Sequence, residues 1–149
     1  MNYSDEACIK IDFLMQKAMA DFSRIKTQQF ASQGLTSQQV SVLLLLDKHG
    51  PLKVSSIAEN LNMADSNVSN ICSRLEKMDL VERKRTKEDM RTVFVGLTEQ
   101  SNEKIKDVKK SVYDFRLRLS ESLKKEDFDD ICKGLTKLNE LLELFNNDN

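Results

Sequence analysis

Midway along the chain, the spacing of apolar residues switches from a helical repeat to alternation. Val54, Ile57, Ala58 and Leu61 fall at i, i+3, i+4 and i+7, which places them on one face of a short helix. Val68, Ile71, Cys72 and Leu75 repeat that spacing in a second helix over about Asp65 to Met78, after a turn at Asn62-Met63-Ala64. The period then becomes two. Val81-Glu82-Arg83-Lys84-Arg85 alternates weakly, and Val93, Val95 and Leu97 alternate clearly with Phe94 and Gly96. The polar stretch Lys87-Glu88-Asp89-Met90 separates the two runs, so they predict a hairpin with a charged tip. Two short helices, a tight turn and a basic-tipped hairpin form the order of a winged helix-turn-helix.

The flanking segments are helical. From about Asp5 to Gln29, Ile11, Leu14, Ala18, Phe22 and Ile25 share one face, and Ile9, Phe13 and Ala20 widen it, as for a helix packed on more than one side. Thr36-Ser37-Gln38-Gln39 is a capping-box pattern that opens a very apolar helix through Val40 to Leu46, read as central and buried. Gly50-Pro51 ends it, and His49 suits the last turn of a helix better than a ligand role. Thr98 is placed to cap a further helix, with Glu99 favourable for its dipole. Ile105, Val108, Val112, Phe115 and Leu119 follow at three-four spacing. After a break near Lys124-Lys125, so do Phe128, Ile131, Leu135, Leu138, Leu142 and Phe145. Such spacing lets helices pack along one another at shallow angles. The expected fold class is mainly α with a small β-hairpin wing.

The second short helix carries the chemistry. With its apolar face spent on the core, its other face presents Ser66, Asn67, Ser69, Asn70, Ser73, Arg74 and Lys77. Short hydroxyls and amides let a helix sit deep in a major groove. Asn bonds bidentately to adenine and Arg to guanine. A face of Ser and Asn is also what a merely solvated helix shows, but none of these seven positions is acidic, and an acidic residue there would repel phosphate. At the hairpin tip, Lys87 and Arg91 are expected to reach phosphates or a narrow minor groove, with Asp89 close enough to orient Arg91. Lys53 and Arg85 complete the expected DNA-contact set.

The formal net charge of −1 argues against a nucleic-acid partner until it is resolved by segment. Val81 to Arg91 holds five basic residues against three acidic ones, whereas acid dominates from Lys125 to Asn149. At 149 residues the chain fits one domain. The three cysteines, Cys8, Cys72 and Cys132, form no C-x-x-C pair, and His49 is the only histidine, so zinc spacing is absent. Isolated cysteines read as reduced thiols. No apolar run nears the roughly 20 residues of a membrane span, and no secretory leader is visible, so a cytoplasmic location is expected. No nucleophile–base pair, phosphate loop or paired-carboxylate context stands out, so neither an enzyme nor a cofactor is expected.

From Leu35 to Thr98 the chain resembles the multiple antibiotic resistance regulator (MarR) family. The resemblance rests on Leu75-Glu76-Lys77-Met78-Asp79-Leu80-Val81-Glu82-Arg83, Asp89-Met90-Arg91 and Val95-Gly96-Leu97-Thr98. The helix order on both sides extends it over nearly the whole chain. The resemblance implies a recognition helix at Asp65 to Met78, a wing arginine at Arg91 partnered by Asp89, and dimerisation through the first and last two helices. It thus implies a winged lobe over 35–98 and a helical dimerisation region over 1–34 and 99–149. Three departures concern helix boundaries. Asp79 stands where the family usually has Gly, Ser101 where Gly is common, and Ala64 where a hydroxyl N-cap is frequent, which leaves Asp65 as the expected cap.

The implied function is a homodimeric, sequence-specific transcription regulator of the repressor type. It would bind a pseudo-palindromic double-stranded DNA operator and be released by a small apolar or phenolic effector. The alternatives are a winged-helix protein-interaction module, a constitutive regulator without an effector, and a redox-sensing regulator acting through Cys8 in the first helix. Cys72, on the core face, reads as packing.

Overall fold

The computed structural model describes residues 5–85 and 92–147. Along them run α1 (Asp5–Ala31), α2 (Ser37–His49), α3 (Val54–Leu61), α4 (Asp65–Lys77), β1 (Val81–Arg85), β2 (Val93–Leu97), α5 (Ser101–Ser122) and α6 (Lys125–Asn147). The chain divides into two compact units, Met1–Ser111 and Val112–Asn149. The winged helix-turn-helix lies in the first, which extends beyond 35–98 to take in α1 and the first half of α5.

The capping box at Thr36 forms as expected. The Gln39 amide donates to Thr36 Oγ1 at 3.2 Å, and the Thr36 amide donates to Gln39 Oε1 at 2.9 Å. Val40, Val42, Leu43 and Leu46 of α2 are buried, and Gly50 closes the helix with φ 75°. Asn62 turns the chain between α3 and α4 in the left-handed conformation, at φ 50°. Val68, Ile71, Cys72 and Leu75 pack α4 into the core. Asp79 takes the left-handed position after α4, with φ 59°, a conformation short polar side chains tolerate.

β1 and β2 pair antiparallel, Val81 opposite Leu97 and Arg83 opposite Val95. A bridge between Leu52 and Val95 fastens the hairpin base to the segment after α2. The amides and carbonyls of these two residues bond reciprocally at 2.9 and 2.8 Å. Gly96 is buried against Pro51.

Thr98 caps the approach to α5 as expected: its Oγ1 accepts the Ser101 amide, three residues on, at 3.2 Å, while its hydroxyl donates to the Asp79 carbonyl at 2.7 Å. Regular helix runs from Ser101, two residues past Glu99. Ser101 is fully buried and donates to the Thr98 carbonyl at 2.7 Å, which accounts for a hydroxyl at this position. The first half of α5 is joined to the rest of its unit by side chains. Gln29 donates to the Ser111 carbonyl at 2.7 Å, Gln33 to Ser111 Oγ at 2.6 Å, and Lys109 pairs with Asp47 at 2.7 Å.

The wide apolar face of α1 is not packed on two sides within one chain. Only Phe30 is buried there, while Ile9, Ile11, Phe13, Leu14 and Phe22 are exposed. In the second unit, Phe128, Ile131, Leu135, Leu142 and Phe145 of α6 are likewise exposed. The apolar repeat was read correctly as helical, and in each unit these side chains stand exposed.

Candidate nucleic-acid interface

α4 is seated on α2 and α3 by its buried face, which leaves the opposite face outward. Ser66, Asn67, Asn70, Arg74 and Lys77 are exposed there. Arg74 and Lys77 lie in the last turn, where cations suit the helix dipole. The N-cap is Ala64, with no side-chain cap bond, and Asp65 is the first helical residue. Asp65 is therefore not the cap, because it already has helical geometry and lies one residue past the position from which a side chain caps.

Ser69 and Ser73 sit less freely than a helical wheel suggests. Both are half-buried, and Ser73 Oγ donates back to the Ser69 carbonyl at 2.9 Å. The cover comes from Arg83 of β1. Its Nη2 donates to Ser73 Oγ at 3.1 Å and to the Ser69 carbonyl at 3.4 Å, and its Nε stands 3.9 Å from Glu76 Oε2. Alternation along β1 explains this placement. Val81 is buried, so Arg83, two residues on, emerges on the same face toward α4. Glu82 and Lys84 emerge on the other face and pair with each other. Arg83 is not in the expected DNA-contact set, although its two-residue offset from Val81 places it on the strand face toward α4.

Beneath this cluster, Cys72 is fully buried. Burial pushes its thiol above the ordinary value, against a smaller opposing pull from Arg83. Cys8 and Cys132 are exposed. His49 ends α2, as expected.

Lys53 is exposed at the N-cap of α3, with Nζ 5.8 Å from the centre of the Phe94 ring on β2. That geometry is within reach of a cation–π contact. Arg85 is exposed at the end of β1. The expected tip contacts Lys87, Asp89 and Arg91 lie outside the described residues. Among the described residues, no cluster of three or more His, Cys, Asp or Glu is arranged to hold a metal. None of their helices is long and apolar enough to cross a membrane.

Comparison with known proteins agrees with this geometry. The family model for the MarR family matches residues 35–93. The chain is 36% identical over 109 residues to the HTH-type transcriptional regulator YfiV of Bacillus subtilis, a match covering 73% of this chain and 68% of that protein. It is 32% identical over 108 residues to the HTH-type transcriptional repressor MdtR of the same organism, covering 72% and 70%. Its fold is similar to the S. aureus MepR–DNA complex, with TM-score 0.76 and 23% identity over 87% of this chain and 96% of that one. It is also similar to the YusO protein of Bacillus subtilis, with TM-score 0.62 and 28% identity over 93% and 99%.

Proposed function

This chain belongs to the MarR family and is a transcriptional regulator of that type, and we propose that it is a homodimeric, sequence-specific DNA-binding repressor. Members of the family are transcription regulators, not enzymes. The observation that carries the reading is the outward face of α4. Ser66, Asn67, Asn70, Arg74 and Lys77 stand exposed beside a basic β1 strand, on a helix locked to a buried core.

In this reading α4 enters the major groove. Asn67 and Asn70 read base edges, Ser66 and Ser69 lie against the groove wall, Ser73 is taken up by its bond to Arg83, and Arg74 reaches a base or phosphate. Lys53 and Arg85 hold phosphates on either side, while Lys87, Asp89 and Arg91 form the minor-groove contact of the wing. The exposed apolar side chains of α1 and α6 support a second copy of the chain as partner, because large exposed apolar patches mark association surfaces. A two-fold dimer then implies a pseudo-palindromic site with half-sites roughly 34–36 Å apart. MdtR is a repressor, and the MepR and AbfR structures hold DNA. A MepR-like structure holds pseudoligands, in line with release of this protein by a small apolar or phenolic effector.

Selection from random duplex DNA, followed by fluorescence anisotropy on the selected site, tests the proposal. The log of the affinity should fall linearly with log salt, by about 0.9 per phosphate contact. Asn67→Ala should cost about 1–3 kcal/mol and relax preference at one base position. If no sequence is enriched, or if Asn67→Ala and Arg91→Ala both leave affinity intact, α4 and the wing are not reading DNA. A protein-interaction module would show that result.

A further inference from the structure

We infer that Arg83 is a positioning residue for DNA reading, one that ties β1 to α4 along Ser69 to Glu76 and holds the recognition helix in place. The inference rests on the proposed DNA-reading role of α4 and deepens it.

The geometry is specific. One guanidinium meets three groups spread over two turns of α4: the Ser69 carbonyl, the Ser73 hydroxyl and the Glu76 carboxylate. A planar fork can hold several acceptors at once, which a lysine ammonium on a flexible stem does far less rigidly. The bonds are not buried, but the side chain is only 33% accessible, so they are partly shielded from competing water. The Ser69 carbonyl already accepts from Ser73 Oγ, and Arg83 bonds to both partners of that pair. Arg83 thus clamps one full turn of α4 from the hairpin side.

The electrostatics point the same way. Asp65 and Glu76 are the acidic residues of α4, and Glu76 is exposed one residue from Lys77. An uncompensated carboxylate there would repel the DNA backbone. Arg83 is the cation facing it, at 3.9 Å. β1 thus supplies both a brace for the recognition helix and a counter-charge for its last turn.

The test compares wild-type protein with Arg83→Ala, Arg83→Lys and Ser73→Ala, on the selected operator and on a scrambled duplex, over a range of salt. Arg83→Ala should weaken operator binding on the order of tenfold and scrambled-duplex binding by clearly less, the smaller loss coming from the exposed Glu76 carboxylate left without its counter-charge. The salt slope should not change, because no phosphate contact is lost. Arg83→Lys should restore little, because charge without the fork does not rebuild the brace. The Arg83→Ala/Ser73→Ala double variant should bind little worse than Arg83→Ala, since both act through one contact. A slope reduced by about 0.9 per protomer would make Arg83 a direct phosphate contact and overturn the inference. So would unchanged operator affinity, equal losses on both duplexes, or additive Arg83 and Ser73 effects. Wild-type protein with no preference for the operator would instead refute the DNA-reading proposal itself.

Discussion

The base of the wing should be intolerant of a single added methyl group at Gly96. A Cβ built there meets Pro51 Cγ at 3.2 Å and Pro51 Cβ at 3.5 Å, where carbon contacts are best at about 3.5–4.0 Å. The ring cannot easily retreat. On one side the Gly50 amide bonds the Leu46 carbonyl at 2.8 Å, and on the other Leu52 and Val95 exchange two backbone bonds. Overpacking of this kind costs about 1–3 kcal/mol. Replacing Gly by Ala returns about 0.4–1 kcal/mol by restricting the unfolded chain. The net expectation for Gly96→Ala is destabilisation of about 1 kcal/mol, a fall in Tm of about 2–4 °C. Circular dichroism melts of Gly96→Ala, Pro51→Ala and the double variant measure it. The double variant should recover most of the Gly96→Ala loss, because removing the ring Cγ frees the space. Strictly additive effects, or a Gly96→Ala protein as stable as wild type, would show that the Pro51 contact does not constrain the hairpin.

Four further outcomes follow from local geometry. Thr36→Ala removes the acceptor for the Gln39 amide and should lower stability by about 1 kcal/mol, read from the same melts. Asp79 sits at φ 59°, so Asp79→Gly should be more stable than Asp79→Ala by about 1 kcal/mol; the reverse order would contradict the left-handed turn. Thiol titration of native protein should label Cys8 and Cys132 quickly and Cys72 only after unfolding. Because burial raises the folded-state thiol of Cys72, the unfolded chain loses that proton first. Cys72 therefore contributes stability fully below the ordinary thiol value of 9.0 and loses it as pH rises beyond. Alkaline melts of Cys72→Ala should lack that share of the decline.

The elements legible in the sequence were those decided within one turn or one strand. The Thr36 capping box needs only Gln39 three residues on, and it forms. Gly50-Pro51 was readable as the end of α2, and Gly50 closes it at φ 75° and ψ −162°, a positive-φ conformation that is not the left-handed helical one. The buried face of α4 followed from the spacing of Val68, Ile71, Cys72 and Leu75. What failed needed knowledge of a second element. A helical wheel counts Ser69 and Ser73 as outward, but a strand some ten residues later reaches across and half-covers them. The apolar stripes of α1 and α6 were legible as stripes, but not as the exposed surfaces that they are in each unit.

That distinction bears on the charge argument. A formal net charge of −1 looked unsuited to DNA, and a segment-by-segment count repaired the objection only in part. Counting treats Glu76 as a debit and Arg83 as a credit at separate positions. The fold puts them 3.9 Å apart, so the pair is close to neutral as seen by an approaching phosphate. What remains beside them is Arg74, Lys77 and Arg85, all exposed and within a few residues of the same helix end and strand. A field acting within a screening length of roughly 10 Å depends on such pairings more than on any sum over the chain. The acidic residues beyond Lys125 belong to the second unit. If α6 serves dimerisation, as proposed, their charge concerns the solubility and pairing of that helix and not the DNA face.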